Sequence, residues 1–310
     1  MGESSKPYHE GERAAQRAAG EQGTARQNAA VIAGAVMAGA RPFLRTQRML
    51  VVASRDAQER PWASIVFGQA GFVSADNDGL SVTIDRSMAY ASDADVLWTN
   101  LSTGTPLGLL AIELSTRRRL RINGRVELLT QARLVMRVDQ AYANCPKYIQ
   151  RRQLHAVTPR ETTALASSEG HVPDAAILLA IKAADTLFVA SGYPSRGLDA
   201  SHRGGRPGFI QLLRPDVLRV PDYAGNSMFN TLGNLSVDAR CGLTLLDFRE
   251  GWIHQMTGEA IVHFDPPRAS DDPTHTGRYW DFLVHDWRST QVPVQADWEF
   301  VDFSPYNPPS

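Results

Sequence analysis

The sequence predicts a mainly β fold, two tandem antiparallel β-barrels with added helices, on three observations. Short β-branched and apolar runs recur at close spacing, each bounded by Gly, Asp, Asn or Pro, which is the punctuation of barrels and sandwiches and not of alternating α/β units. The second half of the chain repeats the first in the order of its segments. The length of 310 residues, with 43% hydrophobic and 21% charged, suffices for one large or two ordinary domains of globular composition.

The elements follow in chain order. Residues 1 to about 22 are polar and rich in Ala, Glu and Arg, and read as a frayed arm ending in a helix. The small apolar residues of NAAVIAGAVMAGARPFL (28–44) suit a helix packed closely on a neighbour. RMLVVAS (48–54) is a strand and RDAQERP a turn; WASIVFG, GFVSAD, GLSVTID, LGLLAIEL and RRLRINGRVELL are further strands. TQARLVMRVDQAYANCPKYIQRRQL (130–154) reads as a helix broken at Pro146, because Pro removes a helical donor. Residues 156–174 read as a linker and AAILLAIKAA (175–184) as a helix. The expected division is an N-terminal helical arm (1–40), a first barrel plus helix (41–155), a linker and helix (156–180) and a second barrel (181–310).

The repeat is explicit in four segments. DTLFVAS (185–191) matches RMLVVAS, and GRPGFIQLLRPDVLRVPD (205–222) matches GQAGFVSADNDGLSVTID (68–85). MFNTL (228–232) matches LWTNL (97–101), and GLTLLDFREGWIHQMTGEAIV (242–262) matches LLAIELSTRRRLRINGRVELL (109–129). Four matches in register point to an internal duplication.

Composition excludes several function classes. A net charge of −1 supplies no field to gather nucleic acid or an anionic membrane. Only Lys6, Lys147 and Lys182 among the 32 basic residues are lysines, as a GC-rich genome would give. Cys145 and Cys241 are too few for a disulfide framework. No paired His spacing marks a metal site, and the sequence has no GxSxG, P-loop or dinucleotide GxGxxG. No apolar run reaches the ~20 residues of a membrane span, and the start lacks a signal-peptide layout; a cytoplasmic location is expected.

The repeat and its residues resemble the pyridoxamine 5'-phosphate oxidase-like family of flavin-binding split barrels, over about residues 40 to 305. The motifs that carry the resemblance are SHRGGRPGF (201–209), RVPDYAGNSMFNTLGNLSVDARCGL (219–243) and TGEA (257–260) in the second copy. In the first copy they are RMLVVASRD, RPWASIVFGQAGF and INGRVE, followed by NCPKYIQRR (144–152). YHEGE with NCPKYIQRR further resembles the subgroup with two tandem antiparallel split barrels. The resemblance implies flavin mononucleotide (FMN) in the seam between barrels, and a flavin-dependent oxidoreductase of unknown substrate with NAD(P)H or an electron-transfer protein as partner. Its alternatives are FAD, or a non-catalytic module for flavin, deazaflavin F420 or haem. A homodimer is a further expectation.

The site expectations are specific. PDYAGNSMFNTLGNL (221–235) runs from a strand through Gly225 into a helix from about Ser227 to Leu235. Asn226, Ser227, Met228, Phe229, Asn230, Thr231 and Asn234 either cap that helix or hold a flavin phosphate at its free N–H groups. Asn230 and Thr231 stand where the oxidase pattern has a basic pair, so countercharge falls to Arg203 and Arg206, whose segment otherwise reads as a flexible hairpin. Trp62 and Ser64 line the ring on the first copy or sit in its core. His202, Lys147, Tyr148, Gln150 and Arg151 form a substrate pocket, or the last four are plain linker. Arg119 and Arg121 in RRRLR face solvent or the groove between barrels. Asp93 and Asp95 would repel a phosphate in the first copy, leaving one competent site. No catalytic acid or base stands out; the flavin carries the redox chemistry, and the protein supplies a donor near its N5 or N1.

Overall fold

The computed structural model describes residues 7–90, 95–160, 165–264 and 276–308; Asp93 lies outside them. Helices α1 (Glu10–Ala18), α2 (Gln22–Asn28) and α3 (Arg41–Arg45) precede the first sheet. That sheet comprises β1 (Met49–Arg55), β2 (Pro61–Gly68), β3 (Val73–Ala75), β4 (Ser81–Asp85), β5 (Ala89–Tyr90), β6 (Pro106–Glu113), β7 (Arg118–Leu129) and β8 (Arg133–Ala143). After β9 (Arg151–Pro159), β10 (Ser167–Gly170) and α4 (Ala175–Ala183) come β11 (Thr186–Tyr193), β12 (Gly197–Gly204), β13 (Gln211–Arg214) and β14 (Val217–Pro221). Helix α5 (Asn230–Leu235) leads into β15 (Arg240–Asp247), β16 (Trp252–Phe264), β17 (Arg278–Gln291) and β18 (Val294–Asp302).

The first sheet runs β3-β4-β8-β7-β6-β1-β2-β5 and the second β13-β14-β17-β16-β15-β11-β12, all named pairs antiparallel, with β10 beside β17. With β11 taken for β1, β12 for β2, β15 for β6, β16 for β7 and β17 for β8, the two orders coincide. The repeat of segments in the sequence thus reappears as one strand order used twice.

Each sheet wraps its own apolar cluster. Leu50, Val52, Leu109, Ile122 and Met136 belong to the first; Leu187, Val189, Leu243, Met256 and Trp280 belong to the second. A third cluster lies between the sheets, where Met49, Val51, Ala53, Ile65 and Phe67 meet Phe188, Ala190, Leu198, Ala200 and Ile253. Side chains alternate across a strand, so β1 sends Leu50 and Val52 to its own core and Met49, Val51 and Ala53 to the seam. Burial on both faces is why RMLVVAS and DTLFVAS are unbroken apolar runs.

The seam has an approximate two-fold. A Cβ on Gly108 of β6 would lie 2.7 Å from the carbonyl oxygen of Leu198, and one on Gly242 of β15 would lie 2.5 Å from that of Pro61. The registers make these glycines counterparts, as are Arg121 and Gln255. Arg121 Nε donates to the Ala200 carbonyl at 3.0 Å and Nη2 to Ser201 Oγ at 2.6 Å. Gln255 Nε2 donates to the Ala63 carbonyl at 2.9 Å and to Ser64 Oγ at 3.0 Å. The same pair of bonds occurs once on each side.

Several sequence expectations are corrected. The segment 130–154 holds strands β8 and β9 instead of a broken helix. Its Leu134, Met136 and Val138 alternate with exposed Arg133, Arg137 and Asp139, and this period of two, locked between β7 and β4, overrides a helix-favouring composition. Residues 28–44 form two single 3-10 turns (Ala29–Val31 and Ala38–Ala40) and the short α3. The Gly-rich stretch gains less from a helix than from Ala33, whose N–H and carbonyl exchange bonds with Ala141 of β8. The linker 156–174 contains the end of β9 and β10. The final strand, β18, pairs with β9 in a separate two-stranded sheet. The arm from residue 7 is a packed element: His9 and Glu12 form a reciprocal capping box on α1.

Candidate functional site

Between β14 and α5 the backbone does not turn at Gly225, which keeps an ordinary φ; the left-handed residues are Ser227 (φ 59°) and Phe229 (φ 60°). Neither Asn226 nor Ser227 caps α5. The helix starts only at Asn230, its N-cap position is Phe229, and no side chain caps it. Asn226 Oδ1 accepts from Met228 N–H at 3.2 Å, an Asx turn before the helix. Six residues of helix carry a weak macrodipole, so positive charge at this place comes from side chains.

Those side chains meet in a cleft that encloses about 90 Å³ and opens to solvent. Arg119, Arg121, Lys147, Arg203 and Arg278 line it, against the carboxylates of Glu21 and Asp222 alone. Arg119 and Arg121 come from β7 of the first sheet, Arg203 from β12, Arg278 from β17 and Lys147 from the loop before β9. Arg278 Nε donates to Asp222 Oδ2 at 3.0 Å, and its Nη1 to Glu21 Oε1 at 2.8 Å. Arg203 approaches Asp222 at 3.5 Å, and its Nε, buried, has no hydrogen-bond partner among the described residues. Arg119 Nε donates to the Cys145 carbonyl at 2.8 Å and its Nη1 contacts His202 Nδ1 at 3.4 Å.

Crowding of like charge leaves its mark on these groups. Burial, then the Arg121 and Arg203 charges, push the Arg119 guanidinium down to about 9, still protonated at neutral pH. Burial, then Arg121 and Arg278, lower Arg203 while Asp222 opposes them. Burial, then Arg119 and Arg203, hold His202 well below the usual imidazole value. Arg119 is a donor, so the contact at Nδ1 leaves the hydrogen of neutral His202 on Nε2, which has no partner among the described residues. A pocket that holds guanidiniums so close, with donors unmatched among the described residues, has the chemistry to attract an anion.

Two further features mark the cleft. Of five non-glycine residues with positive φ among the described residues, Tyr148, Ser227 and Phe229 line it; such backbone costs of order 1–3 kcal/mol each and clusters at binding sites. The rings of Tyr148 and Tyr223 lie 4.9 Å apart at 38°, and Tyr148 Oη donates to the Ala224 carbonyl. Two mutually tilted aromatic rings therefore adjoin the cations.

The arm closes the far side of α5. Asn230 donates to Glu12, Asn234 Nδ2 to Ser191 Oγ (3.0 Å) and Asp199 Oδ2 (2.6 Å), and Asn234 Oδ1 contacts His9 Nε2 at 2.9 Å. Burial and the Asp199 charge push the Glu12 carboxyl up to about 8. Gly11 and Gly233 allow this approach: a Cβ on Gly11 would lie 2.2 Å from the Gly233 carbonyl oxygen.

The structure gathers Arg203, His202, Asn226, Ser227, Phe229, Asn230, Thr231, Lys147 and Tyr148 in the cleft. Met228 packs with Tyr8, Ala25 and Tyr142, and Asn234 is sealed under the arm. Arg206 stands outside, over the Phe303 ring at 4.8 Å. Gln150 is fixed by Ser304 and Asn307, and Arg151 by Asp302. Trp62 is buried with its Nε1 donating to Asp56, and Ser64 lies at the opposite seam. Arg278, Asp222, Glu21 and Tyr223 were missed. Arg278 follows residues 265–275 in sequence and no motif marks it; Glu21 lay in a stretch read as frayed.

At the opposite seam the pseudo-equivalent place is shut. Ser64 Oγ donates to Asp95 Oδ1 at 2.6 Å, and burial raises the Asp95 carboxyl. A neutral Gln255 stands for Arg121 and the Asp95 carboxyl adjoins it, so the counterpart of the Arg121 cation is replaced here by an amide and an acid.

Among the described residues no group of His, Cys, Asp and Glu is placed to hold a metal, and no helix is long and apolar enough to cross a membrane. Both cysteines are free thiols. The fold and cleft define a class: a mainly β protein of split-barrel sheets with a cation-lined cleft at their seam. Residues 37–169 match the family model described as pyridoxamine 5'-phosphate oxidase, so that segment of the chain is similar to this split-barrel family.

No curated protein matches the chain. Among solved structures it is similar to a candidate pyridoxamine 5'-phosphate oxidase from Lactobacillus delbrueckii (12% identity, 37% of this chain and 93% of that one, TM-score 0.32). It is also similar to HupZ from Group A Streptococcus (9% identity, 34% and 84%, TM-score 0.28). A third likeness is to a candidate 5-nitroimidazole antibiotic resistance protein from Bacteroides thetaiotaomicron (12% identity, 46% and 96%, TM-score 0.27).

Proposed function

We propose that the chain is a flavin-dependent oxidoreductase that binds FMN in this cleft, the phosphate at the Arg119 and Arg203 end and the ring toward Tyr148 and Tyr223. One observation carries the reading: five cationic side chains line the cleft against two carboxylates, and even with Arg121 paired to Asp199 at 3.7 Å behind the lining the surplus suits the roughly −2 charge of a phosphate monoester near pH 7. The donor set fits the group. Arg203 Nε and His202 Nε2 lack acceptors among the described residues, and phosphate oxygens accept from guanidinium in parallel pairs. Bound FMN would supply the hydride or electron chemistry.

The chain's own residues then bind and orient. Arg119 and Arg203 hold the anion; Thr231, donating to Ser201 Oγ at 3.0 Å, fixes the α5 side of the cleft; the tyrosine pair excludes water from one face of a stacked ring. A second reading is a non-catalytic holder of flavin, deazaflavin F420 or haem. It is favoured by the absence, among the described cleft residues, of a side chain poised to exchange protons: Glu21 and Asp222 are paired with Arg278 and His202 is held neutral.

Titration with FMN, riboflavin and FAD, followed by flavin fluorescence, tests the first reading. FMN should bind tightest, and anaerobic NADPH should bleach the complex. Binding without bleaching, with any candidate donor, favours the holder; no flavin binding at all rejects the proposal. A Soret band on the purified protein would identify haem instead.

A further inference from the structure

We infer that Glu21, carried on the N-terminal arm, sets the charge capacity of the cleft: it occupies Arg278 itself, so that the cleft takes one phosphate group and excludes a second. The inference rests on the anion-binding reading above and concerns a residue outside the family-matched segment.

Glu21 is built into the site. Its Oε1 accepts from Arg278 Nη1 at 2.8 Å and its Oε2 from Ser227 Oγ at 2.5 Å. Ser227 presents that hydroxyl from a left-handed backbone. The segment bearing Glu21 is tied down on both sides. Gln16 Nε2 donates to the Met228 carbonyl at 3.1 Å before it, and Asn28 Nδ2 to the Asn226 carbonyl at 2.8 Å after it. Arg278 is bonded to Glu21 and Asp222 together, whereas Arg119 bonds only neutral groups among the described residues and Arg203 has a single distant carboxylate. Unmatched positive charge therefore rests on Arg119 and Arg203, while a fixed carboxylate occupies the neighbouring Arg278, which shares Asp222 with Arg203. One phosphate finds the unmatched guanidiniums. A second group bonded to it must approach Glu21, and like charges at such range repel in a partly dry cleft.

The test uses the full chain and its Glu21→Gln variant, which keeps the shape and removes the charge, titrated calorimetrically with inorganic phosphate and with pyrophosphate. The wild type should prefer phosphate. In E21Q pyrophosphate affinity should rise about ten-fold or more, with a much smaller gain for phosphate. Ser227→Ala, which frees the carboxylate without removing it, should move pyrophosphate the same way by less. Equal gains for the two anions in E21Q, or no gain for pyrophosphate, overturn the role of Glu21. FMN titrated into the same samples separates the two ideas. Failure of FMN where phosphate binds rejects the flavin reading alone, and failure of both anions in both proteins rejects the anion site and the Glu21 role together.

Discussion

Arg203 and Arg206 sit three positions apart in SHRGGRPGF and invite the same role, yet their surroundings differ. Arg203 is held in the cleft with an unmatched Nε, while Arg206 lies over Phe303 outside it. A charge-assisted hydrogen bond contributes about 1.5–3 kcal/mol. Arg203→Ala should therefore weaken FMN about 10- to 100-fold and leave riboflavin, which lacks the phosphate, nearly unchanged; Arg206→Ala should alter neither by much. Equal losses of FMN and riboflavin in R203A would contradict a phosphate contact. Glu12 carries a pH prediction. Its carboxyl is raised to about 8 in the fold, above the ordinary value of about 4.3, so the native state holds an extra proton in that interval. Stability from this group is full below the ordinary value and is lost as pH rises through about 8. The melting temperature should fall from pH 6 to pH 9, and Glu12→Gln should flatten that fall. His9 and Asp199 share the cluster and Arg196 faces it, so the variant and the wild type must be compared across the whole range.

At the scale of elements, the two seam glycines make a matched pair of tests. An alanine at Gly242 would push its Cβ to 2.5 Å from the Pro61 carbonyl oxygen, and one at Gly108 to 2.7 Å from that of Leu198. Backbone does not yield as a flexible side chain does, so each substitution should cost about 1–3 kcal/mol, read as a lower denaturant midpoint. A neutral result at both positions would mean the sheets can slide apart without penalty. The same elements show what could be read beforehand. Strands β1, β2, β6, β7, β11 and β15 announce themselves as apolar runs between turn residues. Strand β8 does not, because RLVMRVDQAYA mixes helix formers with a period of two that only its pairing with β4 and β7 makes decisive. The arm was unreadable for a different reason: it is held by α5 and the turn before it, more than two hundred residues away, through His9 with Asn234 and Gln16 with the Met228 carbonyl.

For the whole molecule, the seam cluster joins both sheets in one apolar body, with Val51 and Phe67 of the first beside Phe188 and Leu198 of the second. The halves should unfold together, giving one calorimetric transition whose direct and van't Hoff enthalpies agree; two resolved transitions would show the seam to be weak. FMN bound across residues of both halves should raise that single transition, by about 2.7 kcal/mol at a hundred times its dissociation constant. The sequence by itself determined the β class, the doubled order of strands and the 226–231 half of the cleft, because strand periodicity and turn chemistry are local. Only the tertiary structure decided that Arg119, Arg203 and Arg278 from three strands share a cleft, that Arg206 is left out, and that an N-terminal carboxylate reaches Arg278. Those outcomes depend on which strands become neighbours across the seam, and no short stretch of chain encodes a distance between segments so far apart.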